Sequence, residues 1–202
     1  MDNNRLILPL FPKVCALYNL EEDISELNQL KTFKYRSAEP NNLVQSTEDI
    51  SVLNHFPKVK SILINKFYDF KDNVLKMTST NFKISTSWGT KVEPRGRSYS
   101  HNHRNSYYSG ILYWEDFDGA RLEFEDYNNH GLMVMPEEWN EYNYHQFHIN
   151  TVKNSLFLFP SELYHRITTN MSDQTRYSLA FNLWPVGKLG NSDSSVYVDI
   201  MY

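Results

Sequence analysis

HNHRNSYYSGILYW, residues 101–114, is the stretch on which the reading of this chain turns. It begins polar, with His101 and His103, and becomes strand-like from Tyr107 to Trp114. On a strand, residues i and i+2 share a face and lie ~6.6 Å apart, at ~3.3 Å per residue. Tyr99, His101, His103 and Asn105 then share one face, and Ser100, Asn102 and Arg104 the other. No aliphatic residue stands on the histidine face, so it reads as the lining of a wet cavity rather than a filled core. Imidazole ligates iron, zinc, copper and nickel. A later histidine, His165, can complete one face around an ion, and Arg176 and Ser178 follow it closely. A bidentate arginine–carboxylate pair is strong and orienting. The layout therefore suits a metal ion, non-haem iron foremost, with an acidic co-substrate held beside it.

Outward from this stretch the chain alternates with period two. Phe82, Ile84 and Thr86 alternate with polar residues, and Arg121 to Glu125, Leu132 to Met135 and Phe147 to Val152 read as strands. Ser155 to Phe159 is an apolar run stopped by Pro160. Tyr164 to Thr168 and Arg176 to Leu183 read as an adjacent antiparallel pair joined by a tight turn, and Ser195 to Ile200 as an edge strand. Asp118-Gly119 between two such runs is a hairpin signal. The polar, aromatic insertion between Pro136 and His148 reads as a substrate lid. The first third differs. Leu6 to Leu10 reads as an edge strand, Leu20 to Phe33 as a short helix and Ser37 to Ser51 as a loop. Pro57 opens a helix through about Met77, with Val59, Leu63, Phe67, Phe70 and Val74 at spacings of three and four. The expectation is one domain: an N-terminal strand and helical layer over 1–80, a β core over 81–184 and a C-terminal edge extension over 185–202.

Bulk properties narrow the classes. The 202 residues carry a net charge of −4, which disfavours nonspecific nucleic-acid binding. Lys91, Arg95, Arg97 and Arg104 flank the histidine pair and read as a solvated loop. Cys15 is the only cysteine, so no intrachain disulfide can form. The N-terminus lacks a signal-peptide pattern, and no segment approaches the ~20 apolar residues of a membrane span. A soluble cytoplasmic protein without a membrane partner is expected, with homo-oligomerisation left open. The 7 glycines form no phosphate-binding loop.

HNHRNSYYSGILYW, LFLFPSELYHRI (156–167) and RYSLAFN (176–182) together resemble a family of 2-oxoglutarate- and Fe(II)-dependent oxygenases common in marine bacteria and their phages. The resemblance covers about Trp88 to Trp184. It implies a mainly β fold, a double-stranded β-helix (a cupin-like jelly roll) with the N-terminal helices packed on one side. It makes His165 the distal iron ligand, Arg176 the partner of the far carboxylate of 2-oxoglutarate and Ser178 its hydroxyl partner. It implies hydroxylation of a small-molecule or protein substrate with release of succinate and CO2, in the host cytoplasm if phage-encoded. The alternatives are a three-histidine cupin metalloenzyme that does not use 2-oxoglutarate, and a non-catalytic binding or virion-associated jelly roll.

The chain departs from the pattern of many such oxygenases at the proximal ligands, where His-x-Asp or His-x-Glu is usual. His101 is followed at i+2 by His103, and His103 by Asn105. The preferred ligand set is His101, His103 and His165. A second set uses His103 and His165 with Asn105 or water. A third borrows Glu115, Asp116 or Glu123. Tyr113 is placed on a barrel-lining strand in contact with the co-substrate, since its buried hydroxyl needs a partner. Trp88 reads first as a core aromatic, and Asn182 as a hydrogen-bonding group near the metal or at the barrel end. His145 and His148 read as surface residues, His55 and His130 have no supporting context, and Cys15 reads as a buried hydrophobe.

Overall fold

A computed structural model of the chain describes residues 6–8, 10–38, 40, 43–126, 135–150, 152–190 and 197–201. Its strands are β1 (Ala16–Asn19), β2 (Tyr35–Ser37), β3 (Val44–Thr47), β4 (Asn81–Val92), β5 (Tyr108–Tyr113), β6 (Leu122–Glu125), β7 (Gln146–Ile149), β8 (Ser155–Pro160), β9 (Tyr164–Ile167), β10 (Arg176–Leu189) and β11 (Val198–Ile200). One α-helix, α1, spans Pro57–Asn73, and 3-10 turns span Ser25–Thr32 and Val52–His55. The large sheet runs β1-β8-β5-β10-β4-β3-β2, with β11 on the end of β10. A small sheet, β7-β6-β9, completes the β architecture, and every pairing between named strands is antiparallel. This is the double-stranded β-helix that the motifs imply.

Period-two alternation sorts the residues of the large sheet between two cores. Leu179, Phe181 and Leu183 of β10, Leu112 of β5, and Leu156 and Leu158 of β8 pack in one cluster with Val59, Leu63, Phe67 and Phe70 of α1. Ile111, Tyr113, Phe157, Phe159 and Ala180 join the other cluster with Leu122, Phe124, Ile149 and Ile167 of the small sheet. Each fully buried Leu, Val or Phe contributes about 1.5–3 kcal/mol. The helix therefore clamps one face and leaves the other to form a cavity. Gly110 is required by that clamp: a Cβ there would lie 2.2 Å from the Phe181 ring.

The structure corrects several expectations. Leu6, Ile7, Leu8 and Leu10 are exposed and outside any strand. An edge strand needs a partner ladder, and the first one in the chain is β1 on β8. Ser37 to Ser51 is not a loop, because β3 pairs with β4 through Val44↔Val92 and Ser46↔Thr90. Its short, polar alternation hid that edge. Asp118-Gly119 turns no hairpin: β5 pairs with β8 and β10, and β6 with β7 and β9, so the segment crosses between sheets. β9 and β10 likewise lie in different sheets, not side by side as the 165-to-176 spacing suggested. α1 ends near Asn73, short of Met77, because Lys76 takes a left-handed φ of 57° while the Met77 amide donates to the Lys71 carbonyl. The 20–33 helix is a 3-10 turn that buries Leu27 and Leu30. The strand expected at Leu132 falls outside the described residues, as does His130; Met135 is described, exposed and irregular.

Candidate metal centre

The three histidines arrive on two segments. His165 lies on β9, opposite Phe124 of β6, with its ring facing the cavity. His101 and His103 are not on a regular strand. His101 forms an isolated antiparallel bridge with His165, with backbone bonds in both directions at 3.0 and 2.9 Å. The His103 amide donates to the Ser161 carbonyl at 2.9 Å. Backbone pairing thus sets the rings side by side, with centroids 4.6 Å apart for His101–His165, 4.9 Å for His103–His165 and 5.4 Å for His101–His103. One ligand nitrogen from each ring lies within 4.8 Å of the others. Small ring rotations bring that span onto one ion, since metal–imidazole bonds are ~2.1 Å.

Which nitrogen is free follows from the hydrogen bonds. His101 Nδ1 lies 2.9 Å from the Tyr99 carbonyl and His165 Nδ1 lies 3.0 Å from the Leu163 carbonyl. A carbonyl only accepts, so both Nδ1 atoms carry the proton and Nε2 keeps its lone pair. His103 Nδ1 lies 2.7 Å from Asn182 Oδ1 and 2.9 Å from Ser109 Oγ. Trp88, Phe124 and Phe159 wall the rings, with Trp88 5.4 Å from His103 and Phe159 4.8 Å from His165.

Burial keeps the His103 and His165 rings neutral. It pushes His103 down to about 4, aided by the neighbouring His101, although the bond to Asn182 opposes the shift. It pushes His165 down to about 3, aided by His101 and His103. Free histidine titrates near 6.5. Between pH 6.5 and 5 the unfolded chain takes up protons that these folded rings refuse. Stability of the metal-free protein therefore falls as pH drops through that window, by on the order of 1.4 kcal/mol per unit for each ring. Urea titrations at pH 7, 6 and 5 check this, and a flat profile would contradict it.

A cavity of about 260 Å³ opens beside the histidines, lined also by Trp88, Thr90, Ser98, Ile111 and Ser178. Trp88, expected as core, is one of its walls. Ser178 is buried at 4 % exposure on β10. Two residues further along the same face is Arg176, at 1 % exposure, with its guanidinium 4.4 Å from the centre of the Tyr113 ring. Among the described residues, Nε, Nη1 and Nη2 of Arg176 and the Tyr113 hydroxyl are buried without a hydrogen-bond partner. Burial raises the Tyr113 pKa, and the nearby cation opposes that shift. A buried, unpaired guanidinium is costly, and a carboxylate is its natural complement. Three imidazoles lining this cavity, with the Arg176 fork two residues along β10 from the cavity-lining Ser178, fit Fe(II) and a dicarboxylate such as 2-oxoglutarate.

The other candidates fall away from this centre. Glu123 is buried on the opposite face of β6, where it pairs with His148 and Arg166. Glu115 pairs with Lys31, and Asp116 Oδ1 accepts the Lys153 amide. Asn105 is exposed in a turn at φ 57°. Among the described residues the only metal-capable cluster is His101, His103 and His165. His145 packs edge-on against Trp139, and His55 pairs with Asp49. Cys15 is half-buried, its thiol pushed up to about 11 by burial. Sequence reasoning missed Ser98, which lines the cavity and whose Oγ accepts the Ile167 amide at 2.8 Å. It also missed Ser109 and Ser161, although both stood inside the quoted motifs.

Two facing antiparallel sheets around a histidine-lined cavity define the class as a double-stranded β-helix metalloprotein. Comparisons with known proteins agree. Residues 86–182 match the model of the family described as "Putative 2OG-Fe(II) oxygenase". Over this segment, just under half of the chain, it carries the sequence pattern of that family, which supports an enzyme with Fe(II) and 2-oxoglutarate as its cofactor and co-substrate. No curated protein matches in sequence. Among solved structures it is similar to HygX from Streptomyces hygroscopicus with nickel and 2-oxoglutarate bound. That likeness has TM-score 0.56 and 11% identity, over 93% of this chain and 92% of that one. It is similar to a Pseudomonas putida prolyl-4-hydroxylase at TM-score 0.55 and 12% identity, over 85% of this chain and 92% of that one. A Trichoplax adhaerens prolyl hydroxylase in complex with a hypoxia inducible factor peptide gives TM-score 0.53 and 11% identity, over 85% and 82%. At these identities the likeness is one of fold. No helix among the described residues is long and apolar enough to cross a membrane.

Proposed function

We propose that His101, His103 and His165 hold Fe(II) through Nε2, and that Arg176, with Ser178 and Tyr113, holds the far carboxylate of 2-oxoglutarate. The observation that carries this reading is the fully buried Arg176 guanidinium, stacked on Tyr113 and with no hydrogen-bond partner among the described residues at any of its nitrogens. A protein that needed Arg176 only for packing would have paired it or replaced it. When bound, Fe(II) and 2-oxoglutarate supply the oxygen activation that hydroxylates a substrate and yields succinate and CO2. The protein's part is to orient and to exclude water. The Tyr99 and Leu163 carbonyls and Asn182 fix the three rings. Phe124, Phe159 and Trp88 keep the centre dry on the sheet side. The Tyr113 face sets the plane of the guanidinium.

The substrate is a small molecule or a peptide, as in the complexes of HygX with hygromycin B and of the Trichoplax enzyme with a peptide. A cytoplasmic setting, in a marine bacterium or its phage, belongs to the same reading. Anaerobic Fe(II) addition followed by 2-oxoglutarate tests it. A visible metal-to-ligand band is expected only with both present, and lost in Arg176→Ala. Iron binding with no band at saturating 2-oxoglutarate would favour a three-histidine metalloenzyme of another kind.

A further inference from the structure

Three polar residues of the quoted motifs take no direct part in holding metal or co-substrate: Ser109 of the SG strand, Ser161 of the FPS turn and Asn182 of the RYSLAFN strand. They meet at one point, behind His103. Asn182 Oδ1 lies 2.7 Å from His103 Nδ1, and Ser109 Oγ donates to the same oxygen at 2.8 Å. Ser109 Oγ is 2.7 Å from Ser161 Oγ, which is 2.9 Å from Ser106 Oγ. Ser106 Oγ donates to the Tyr108 carbonyl at 3.0 Å, which ends the chain on the backbone. Ser109 and Ser161 are both at 0 % exposure. On the other side Asn182 Nδ2 donates to Thr86 Oγ1 at 3.0 Å, which fixes which end of the amide faces the imidazole. Between Asn182 and Leu183 the β10–β4 register shifts, and such irregularities re-aim side chains.

The contrast with the other two rings is the telling feature. His101 and His165 each donate to a main-chain carbonyl, which no substitution at the acceptor residue removes. His103 alone is held by a side chain, in a centre whose three ligands include no carboxylate. We propose that Asn182 is a positioning residue that fixes His103 as the Nδ1–H tautomer and sets its donor strength toward the metal, with Ser109 and Ser161 locking Asn182 in place. The network acts on the metal through the imidazole. An acceptor on the far nitrogen orients a ligating ring and raises its basicity, and losing such a partner costs ~10–100-fold in metal affinity. A carboxylate at the same place strengthens the effect, because it favours the cationic side of the imidazole.

This inference rests on His103 being a ligand. The test compares wild type, Asn182→Leu, Asn182→Asp and Ser109→Ala by Ni(II) titration calorimetry and by 15N NMR of the imidazoles in the metal-free protein. Asn182→Leu is expected to bind Ni(II) ~10–100-fold more weakly and to lose the fixed Nδ1–H signature of His103, with His101 and His165 unchanged. Asn182→Asp is expected to bind at least as tightly as wild type, with His103 titrating higher. Ser109→Ala is expected to fall between wild type and Asn182→Leu. If Asn182→Leu does not fold, Asn182→Asp and Ser109→Ala decide. Wild-type affinity and an unchanged His103 tautomer across the variants would overturn the inference and leave the metal site standing. No Ni(II) binding by wild type would instead overturn the metal site itself.

Discussion

Arg176→Met is expected to give a metal-free protein at least as stable as wild type that no longer responds to 2-oxoglutarate. In wild type the guanidinium is buried at 1 % exposure, stacked on Tyr113, and without a hydrogen bond or ion pair among the described residues. The folded protein therefore bears the desolvation of a charge without the return of an ion pair. A methionine fills similar volume without that cost. Replacing buried charge by apolar groups is often neutral or stabilising by ~1–4 kcal/mol. The same substitution removes the one cation placed for the far carboxylate. A ligand at 100 times its dissociation constant stabilises by ~2.7 kcal/mol, and that increment should vanish. Arg176→Lys should not restore it fully, because an ammonium lacks the planar fork. Thermal unfolding with and without 2-oxoglutarate, in the presence of Mn(II) or anaerobic Fe(II), reads both effects. A strongly destabilised Arg176→Met protein would mean that the guanidinium has a structural partner, and the co-substrate assignment would fail.

His165→Ala is expected to reduce metal affinity by at least ~100-fold, more than the usual loss from an outer partner of a ligand. Of the three candidate ligands, His165 is the one carried by the small sheet, its ring 4.6 and 4.9 Å from the other two. Its backbone bridge to His101 does not depend on the side chain, so the fold should hold. The variant carries a second signature. Because burial holds His165 near 3, its removal deletes one of the two rings that resist protonation. The metal-free variant should therefore lose less stability than wild type between pH 6.5 and 5, by on the order of 1.4 kcal/mol per unit. Anaerobic Fe(II) titration and urea unfolding at two pH values measure these together. Retained affinity with a flattened pH profile would move the metal away from His165, and unchanged behaviour in both would remove His165 from the centre.

Much of the centre was legible from residue type and spacing. The histidine pair, His165, Arg176 and Ser178 are identifiable from local motifs; the three histidines and Ser178 line one cavity, and Arg176 is buried two residues along β10 from Ser178. The reasons offered for their convergence were partly mistaken. The pair was placed on a strand, but only His101 bridges, and the directing bonds are long-range ones to Ser161 and His165. The 165-to-176 spacing suggests neighbouring strands for His165 and Arg176, but β9 and β10 lie in different sheets. Close sequence spacing cannot distinguish a hairpin from a crossover, because both return the chain within a few residues. β3 is illegible for a different cause: it is short and polar, and its place between β4 and the edge strand β2 is set by pairing across the sheet.

The sequence by itself determined the two-faced strands, the apolar stripe of α1, and the supply of three imidazoles and one guanidinium, because these follow from local periodicity and side-chain chemistry. Only the tertiary structure decided that Asn182, Ser109 and Ser161 meet behind His103, that Glu123 turns toward His148 and Arg166, and that Arg176 has no hydrogen-bond partner among the described residues. Such facts depend on which strands become neighbours across the sandwich. That choice is made by the packing of two cores on one sheet, and no local stretch of the chain contains it.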